Sequence, residues 1–133
     1  MCSCDDTGKL ILRLTVAGLM LFHGVAKVMT GVDPIMGMLA AVGLPGFIAY
    51  GVYVGEVLAP MMMIIGFRTR IAAVIMAATM VVAVALAHMG DLFAINQFGG
   101  WAVELQAFFF FGAVAVFFLG AGKMAVSKSN SWD

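Results

Sequence analysis

The chain has 133 residues, of which 64% are apolar and only 11% are charged. Soluble domains carry about 25% charged residues and about 45–50% apolar ones, so this composition indicates a membrane protein. Seven basic residues balance seven acidic ones, which excludes the basic surface of a nucleic-acid-binding protein. The first partner that the sequence predicts is therefore the lipid bilayer. The length of the chain suits one domain.

Four long apolar runs, at residues 10–28, 47–66, 71–89 and 101–119, predict four membrane-spanning helices. Each run is close to the roughly 20 residues that a spanning helix needs. Between the first two runs, we expect Asp33 to cap a short helix whose first residue is Pro34, and Gly43 with Pro45 to end it. The predicted fold class is all-α: an integral membrane four-helix bundle with a short interfacial helix, residues 34–42, between its first two spans.

The basic residues predict the orientation of this bundle. Only Lys27 falls on one side of the four-span arrangement, and the other six basic residues fall on the opposite side: Lys9, Arg13, Arg68, Arg70, Lys123 and Lys128. Because cytoplasmic loops carry an excess of Lys and Arg, we expect both termini in the cytoplasm. The expected division is a cytoplasmic N-terminal tail (1–9), a transmembrane domain (10–122) and a cytoplasmic C-terminal tail (123–133).

Two cysteines, Cys2 and Cys4, belong to the predicted N-terminal tail. In the cytoplasm their thiols stay reduced. Two cysteines alone rarely form a metal site, so we interpret them as part of an ordinary tail.

Ionisable side chains inside the predicted spans are the strongest functional signal, because each costs roughly 2.5–3.5 kcal/mol at the centre of a spanning helix. His23 and Lys27 are four residues apart and therefore share one helix face. Glu56 lies nine residues into the second run, at about the midplane, and Tyr53 shares its face. His88 and Glu104 lie at the same outer side of the third and fourth runs.

We therefore predict one polar site in the outer half of the bundle. Its expected cofactor-binding residues are His23, Lys27, Tyr53, Glu56, His88 and Glu104. Glu56, His23 and Lys27 are the expected catalytic residues, and no residue is assigned as a metal ligand. Each also has a structural interpretation: Glu56 and Lys27 as a salt bridge, His23 as a packing residue, and His88 and Glu104 as groups in the headgroup region.

The chain resembles the DoxX family of small four-helix membrane proteins over about residues 10–122. The resemblance rests on the segments "RLTVAGLMLFHGVAK" (13–27), "VGLPG" (42–46), "GE" (55–56), "GFRTRIAA" (66–73) and "GAG" (120–122), with His88 and the Glu104 of "WAVEL". Family members often end with a Gly-Pro-Gly stretch and a Ser-Leu-Asp or Ser-Ile-Asp motif. Here the text is "GAGKMAVSKSN", so the proline and the terminal acid are expected to be missing.

This resemblance implies a membrane subunit linked to quinone-dependent redox chemistry, in the inner membrane of a bacterial or archaeal cell. The residues themselves are compatible with three functions. In the first, His23 or Lys27 and His88 bind the two carbonyls of a quinone, while Glu56 or Glu104 carries protons. In the second, His23, Glu56, His88 and Glu104 bind one metal ion, or the two histidines bind a haem. In the third, the protein is an accessory subunit that docks to other membrane or redox subunits, so whether it is an enzyme stays open.

Overall fold

Residues 3–133, the part of the chain that the computed structural model describes, contain five helices, the third of which begins with a 3₁₀ segment at Gly46–Tyr50, and one separate 3₁₀ turn. The helices are α1 (Cys4–Thr30), α2 (Asp33–Ala41), α3 (Gly46–Ile65), α4 (Thr69–Ala87) and α5 (Glu104–Leu119), and the 3₁₀ turn is Met89–Asp91. Over these residues the only β pairing is an isolated bridge between Ile95 and Trp101. The all-α class of the prediction is confirmed.

Three of the helices, α1, α3 and α4, are long and apolar enough to cross a membrane. The apolar helix α5 has only 16 residues, or about 24 Å at about 1.5 Å per residue. It begins at Glu104 and not at Trp101, because the residues before it are used in the loop: Ala102 N–H bonds to Ala94 O, and Asn96 N–H bonds to Gly100 O. The chain is a membrane protein by the length and composition of these helices.

Helix α1 begins earlier than its apolar run. The Ser3 side chain accepts a hydrogen bond from Asp6 N, and Asp5 and Asp6 lie in the first turn, where acidic groups stabilise the positive end of the helix dipole. Residues 4–9, assigned above to a tail, are therefore helical. Cys4 is exposed on this first turn, and Cys2 lies outside the described residues.

Helices α1, α3, α4 and α5 contact one another in a closed ring, since α1 and α4 each touch both α3 and α5. Their core is formed by small and flexible apolar side chains, including Ala17, Met20, Met63, Met76 and Ala113. A second, smaller cluster joins the short helix α2 to the start of α3.

Helix α2 forms where a short helix was expected, but its N-terminus differs from the prediction. Its N-cap residue is Val32, and Asp33 lies in the first turn, where it makes no capping side-chain hydrogen bond. The proposed capping by Asp33 is wrong, because the cap falls one residue earlier. Past its other end, Gly43 adopts a positive φ of 77°, as expected for a residue that stops a helix.

Helix α3 is irregular at its centre, around Glu56. Residues Val54–Leu58 form a π-helical turn in which Ala59 N–H bonds to Val54 O. Pro60 follows, and because proline has no N–H it cannot donate to the Glu56 carbonyl one turn earlier. Gly24 of α1 lies directly against this carbonyl, and a Cβ at Gly24 would overlap the oxygen. The backbone irregularity and the glycine together bring α1 into close contact with α3 at Glu56.

The C-terminal segment folds back across the end of the bundle that carries the N-terminus of α1 and the α3–α4 turn. Arg13, which is 2% exposed, donates from Nη1 to Ala121 O at 2.8 Å and from Nη2 to Met124 O at 2.7 Å. Asp6 receives a hydrogen bond from Lys123 N and forms an ion pair with Lys123 Nζ. Val126 N–H bonds to Ile65 O, beside the α3–α4 turn. Residues 120–133 thus cover this end of the bundle.

The terminal acid that was expected to be missing is present, so that expectation is wrong. Asp133 follows Ser131 and Trp132, is 7% exposed and pairs with Arg68. Burial raises the pKa of the Asp133 carboxyl, but hydrogen bonds from Ser127 Oγ and Asn130 N, together with the charge of Arg68, outweigh it and leave the pKa below its ordinary value. The ionised carboxylate therefore joins the C-terminal segment to the α3–α4 turn.

Gly24→Ala tests the close contact between α1 and α3. We expect it to lower the free energy of unfolding by about 1–3 kcal/mol, because the Glu56 backbone carbonyl cannot move aside as a side chain would. The measurement is thermal unfolding in detergent. Gly18→Ala is the matched control on the same helix, since nothing lies within 4 Å of a Cβ there. Equal melting temperatures for the two variants would show that the contact is not tight.

Candidate functional site

A cavity of about 560 Å³ lies among the helices, and its walls are mostly apolar. Six polar residues line it. They come from the four long helices, except for one that directly follows α4: His23, Lys27, Glu56, Thr79, Gln106 and, after α4, His88. The sequence placed four of these in one site from their depth alone. The cavity size falls within the range of about 300–1,000 Å³ that is usual for small-molecule sites.

The ion pair between Lys27 and Glu56 is the most polar element of this cavity. Lys27 Nζ donates to Glu56 Oε2 at 2.5 Å. The Glu56 side chain is 4% exposed and that of Lys27 is 32% exposed. The carboxylate is therefore shielded from water, and the ammonium group is its one hydrogen-bond partner among the described side chains. A buried carboxylate without such a partner would be strongly destabilising.

Tyr53 positions this pair but is not part of the cavity wall. Its hydroxyl donates to the backbone carbonyl of Lys27 at 3.2 Å, which joins α3 to α1 one turn before Glu56. The bond fixes the end of α1 that carries the ammonium group. Tyr53 thus acts on the cavity through Lys27.

His23 lines the same cavity as Glu56. Its ring meets the ring of Phe109 edge to face, with the ring centroids 5.7 Å apart. Among the residues that the structure describes, there is no hydrogen bond between His23 and Glu56. The imidazole nitrogens of His23 are therefore not used by the carboxylate, and the ring stands one helical turn from Lys27 as the spacing of four residues requires.

His88 lies just after α4 and forms a short chain of polar contacts. Its Nδ1 is 3.2 Å from Asp91 Oδ2, and its Nε2 is 3.1 Å from Gln106 Nε2. Sequence analysis missed Gln106, because the search for a site considered only ionisable groups within the apolar runs. The signal was available: Gln106 is the single uncharged amide in the run from 101 to 119.

Glu104 does not line the cavity. Its carboxylate is exposed and accepts a hydrogen bond from Asn96 Nδ2 at 3.3 Å, within the loop that precedes α5. Consequently His23, Glu56, His88 and Glu104 are not gathered into one ligand set. Within residues 3–133 no group of three or more His, Cys, Asp or Glu side chains is close enough to hold a metal ion.

A double-mutant cycle tests how much the ion pair stabilises the fold. Lys27→Met leaves a buried Glu56 carboxylate without its cation, so we expect a loss of a few kcal/mol of unfolding free energy. Glu56→Gln keeps the shape and removes the charge, and it should cost less. The double variant should recover part of the Lys27→Met loss. Thermal unfolding of all four proteins in detergent gives the coupling, and additive losses would mean that the two groups do not interact.

Comparison with known proteins identifies the family to which these residues belong. A family model described as DoxX matches residues 8–89, which reaches from α1 to the residue after His88 and leaves α5 and the C-terminal segment outside. No curated protein and no solved structure matches the chain. The matched segment is more than half of the chain and contains His23, Lys27 and Glu56. The chain therefore belongs to the DoxX family, whose members are membrane-associated and often linked to redox processes.

Proposed function

We propose that this protein binds the headgroup of a quinone in the outer half of a four-helix membrane bundle, and that Glu56, paired with Lys27, is its proton-handling group. The observation that carries the proposal is a buried carboxylate, paired with a lysine, in the wall of a large apolar cavity. Charged groups at this depth are costly and usually mark a functional path. A pair with no function would be more simply replaced by apolar side chains.

In the proposed bundle, α5 is the fourth membrane-spanning helix. Helix α5 packs along α4 and closes the ring of helices, and it presents exposed phenylalanines, including Phe108, Phe111 and Phe118, that suit a lipid environment. With both termini cytoplasmic, α2 and the loop before α5 lie on the outer side. Six of the seven basic residues then lie at the inner end, which agrees with the distribution of Lys and Arg in membrane proteins.

The donor set of the cavity fits a quinone. Its apolar walls suit a flat ring and a hydrocarbon tail, and the Lys27 ammonium group and the His23 imidazole are donors for one carbonyl oxygen. When bound, a quinone supplies the capacity to take up and release electrons together with protons. The chain contributes binding, exclusion of water and a titratable carboxylate at Glu56, which exchanges a proton through its hydrogen bond with Lys27.

Two other functions are weaker. The metal hypothesis requires His23, Glu56, His88 and Glu104 to converge, but Glu104, at the start of α5, bonds to Asn96 and does not line the cavity. The accessory-subunit hypothesis explains the exposed phenylalanines but leaves the ion pair in the cavity without a role. The binding experiment below distinguishes a metal site and an accessory role from quinone binding.

The proposed topology predicts opposite accessibility for two exposed positions. Phe98 is 87% exposed in the outer loop, and Ser129 is exposed in the C-terminal segment. In a background with Cys2→Ser and Cys4→Ser, a membrane-impermeant thiol reagent added to intact cells should label Phe98→Cys and not Ser129→Cys. Labelling of both positions from the same side would contradict four spans and the site depths built on them.

Glu56→Gln tests the function. Decylbenzoquinone binding to the purified protein in nanodiscs should weaken about tenfold or more, because the charge-assisted hydrogen bond that holds the Lys27 ammonium group in the cavity wall is lost. The variant should still accumulate in the membrane at close to the wild-type level. Mass spectrometry of the natively purified wild type should also detect bound quinone. Full binding by Glu56→Gln would remove the proton-handling role, and co-purifying subunits without quinone would favour the accessory role.

A further inference from the structure

We infer that the cavity opens sideways into the bilayer between α3 and α4, and that its ligand is lipid-soluble, with a hydrocarbon tail that lies in this lateral opening. Four residues that line the cavity form the rim of the opening: Ile48 and Gly51 of α3, and Ala78 and Val82 of α4. The inference rests on the proposed function and deepens it, because it states how a quinone reaches the cavity and which quinones fit.

Helices α3 and α4 touch at the level of Glu56 and separate beyond it. At Gly55 the two helices are so close that a Cβ would overlap the side chain of Thr79. From its π-helical turn onward α3 packs against α4, whereas its first turns, residues 46–53, pack on α2 and α1. A gap is therefore left between the start of α3 and the second half of α4.

The rim residues line this gap and are also exposed. Ile48 is 42% exposed and Val82 is 51% exposed, and Gly51 and Ala78 are exposed as well. Residues in the wall of a closed cavity are buried, so this exposure places the four residues at an opening.

The exposed sides of the rim residues belong to the outer surface of the bundle. Gly51 lies three residues before Val54 on α3, and Ala78 lies three residues before Val81 on α4, a spacing at which residues share a helix face. Val54 and Val81 are exposed, and neither lines this cavity. The cavity is therefore continuous with the outside of the bundle at Gly51 and Ala78.

The opening leads into the hydrocarbon of the membrane. Both helices are long and apolar enough to span it. Gly51 and Val82 each lie five residues inside the end of their helix, or about 8 Å at about 1.5 Å per residue. A surface at this depth contacts acyl chains, since the hydrocarbon core is about 30 Å thick. No rim residue carries a polar side chain, so a hydrocarbon tail fits the opening and a charged group does not.

Helix α2 covers the end of the cavity. Its residues Ile35, Met38 and Leu39 line the cavity, and an apolar cluster joins it to the start of α3. Because α2 connects α1 to α3, this wall lies where the spans end. A ligand dissolved in the bilayer therefore enters through the lateral opening, with its ring at the pair of Lys27 and Glu56 and its tail among the lipids.

Gly51→Phe tests the opening, because it fills the gap without a clash. Gly51 has helical φ and ψ angles, and nothing lies within 4 Å of a Cβ there. We compare the affinities of two probes in nanodiscs, decylbenzoquinone and the same ring with a methyl group in place of the decyl chain. The decyl probe should bind about tenfold or more weakly to the variant, because a tail and a bulky side chain then compete for one space. The methyl probe should bind as it does to the wild type.

Val54→Phe is the matched control, since Val54 is exposed on the same face of α3 and does not line the cavity. It should leave both affinities unchanged. An equal loss for both probes in Gly51→Phe would indicate damage to the site and not a filled opening, and an unchanged decyl affinity would mean that no tail lies there. Either result overturns the inference, while quinone binding by the wild type still supports the proposed function.

Quenching of tryptophan fluorescence by the lipids tests the opening without a ligand. Phe109 lines the cavity from α5 and is 4% exposed, so Phe109→Trp reports on the interior once Trp101 and Trp132 are replaced by phenylalanine. Lipids brominated on their acyl chains quench a tryptophan that they contact, and Gly51→Phe should reduce this quenching while Val54→Phe should not. If neither quinone probe binds the wild type, the proposed function falls and this measurement decides the inference: quenching that Gly51→Phe leaves unchanged overturns it.

Discussion

The ion pair between Lys27 and Glu56 is the constraint on which the centre of the structure depends. A carboxylate that is 4% exposed inside a bundle of apolar helices is tolerated only with a cation held against it. Several features of the local structure meet this requirement. The π-helical turn Val54–Leu58 lies around Glu56. Pro60 leaves the backbone carbonyl of Glu56 without its usual N–H donor. Gly24 has no side chain, so α1 can approach this carbonyl closely. Tyr53 then fixes the backbone at Lys27.

Nearly all other charges lie at the two ends of the helices. At one end, Arg13 and Arg68 hold the C-terminal segment, one through carbonyl oxygens and one through Asp133. At the other end, the Glu104 carboxylate accepts a hydrogen bond from Asn96. Each of these groups has a local partner, so each has a structural role. The pair in the cavity and the His88–Gln106 contact are the polar elements that remain, and they lie in the walls of one cavity.

The sequence predicted the helices well, because they follow from simple rules, and the depth of the polar groups in the membrane stays a prediction. Long apolar runs predict spans, and a separation of four residues puts His23 and Lys27 on one face. What it missed depends on contacts between distant segments. The structural role of Asp133 requires the fold-back of residues 120–133 onto Arg68, and the position of Glu104 depends on the pairing of Ile95 with Trp101. Gln106 was overlooked because an uncharged amide becomes informative only when its neighbours, His88 and Asp91, are known.

The central claim is that Glu56 is an ionised carboxylate held by Lys27 inside the cavity. Isotope-edited infrared spectroscopy of the protein at neutral pH, with Glu56→Gln as the difference reference, tests it most directly. The account predicts that the Glu56 signal is that of a carboxylate, and that it changes when Lys27 is replaced by methionine. A carboxylic-acid signal for Glu56 in the wild type, or a carboxylate signal that is unaffected by Lys27→Met, would contradict it.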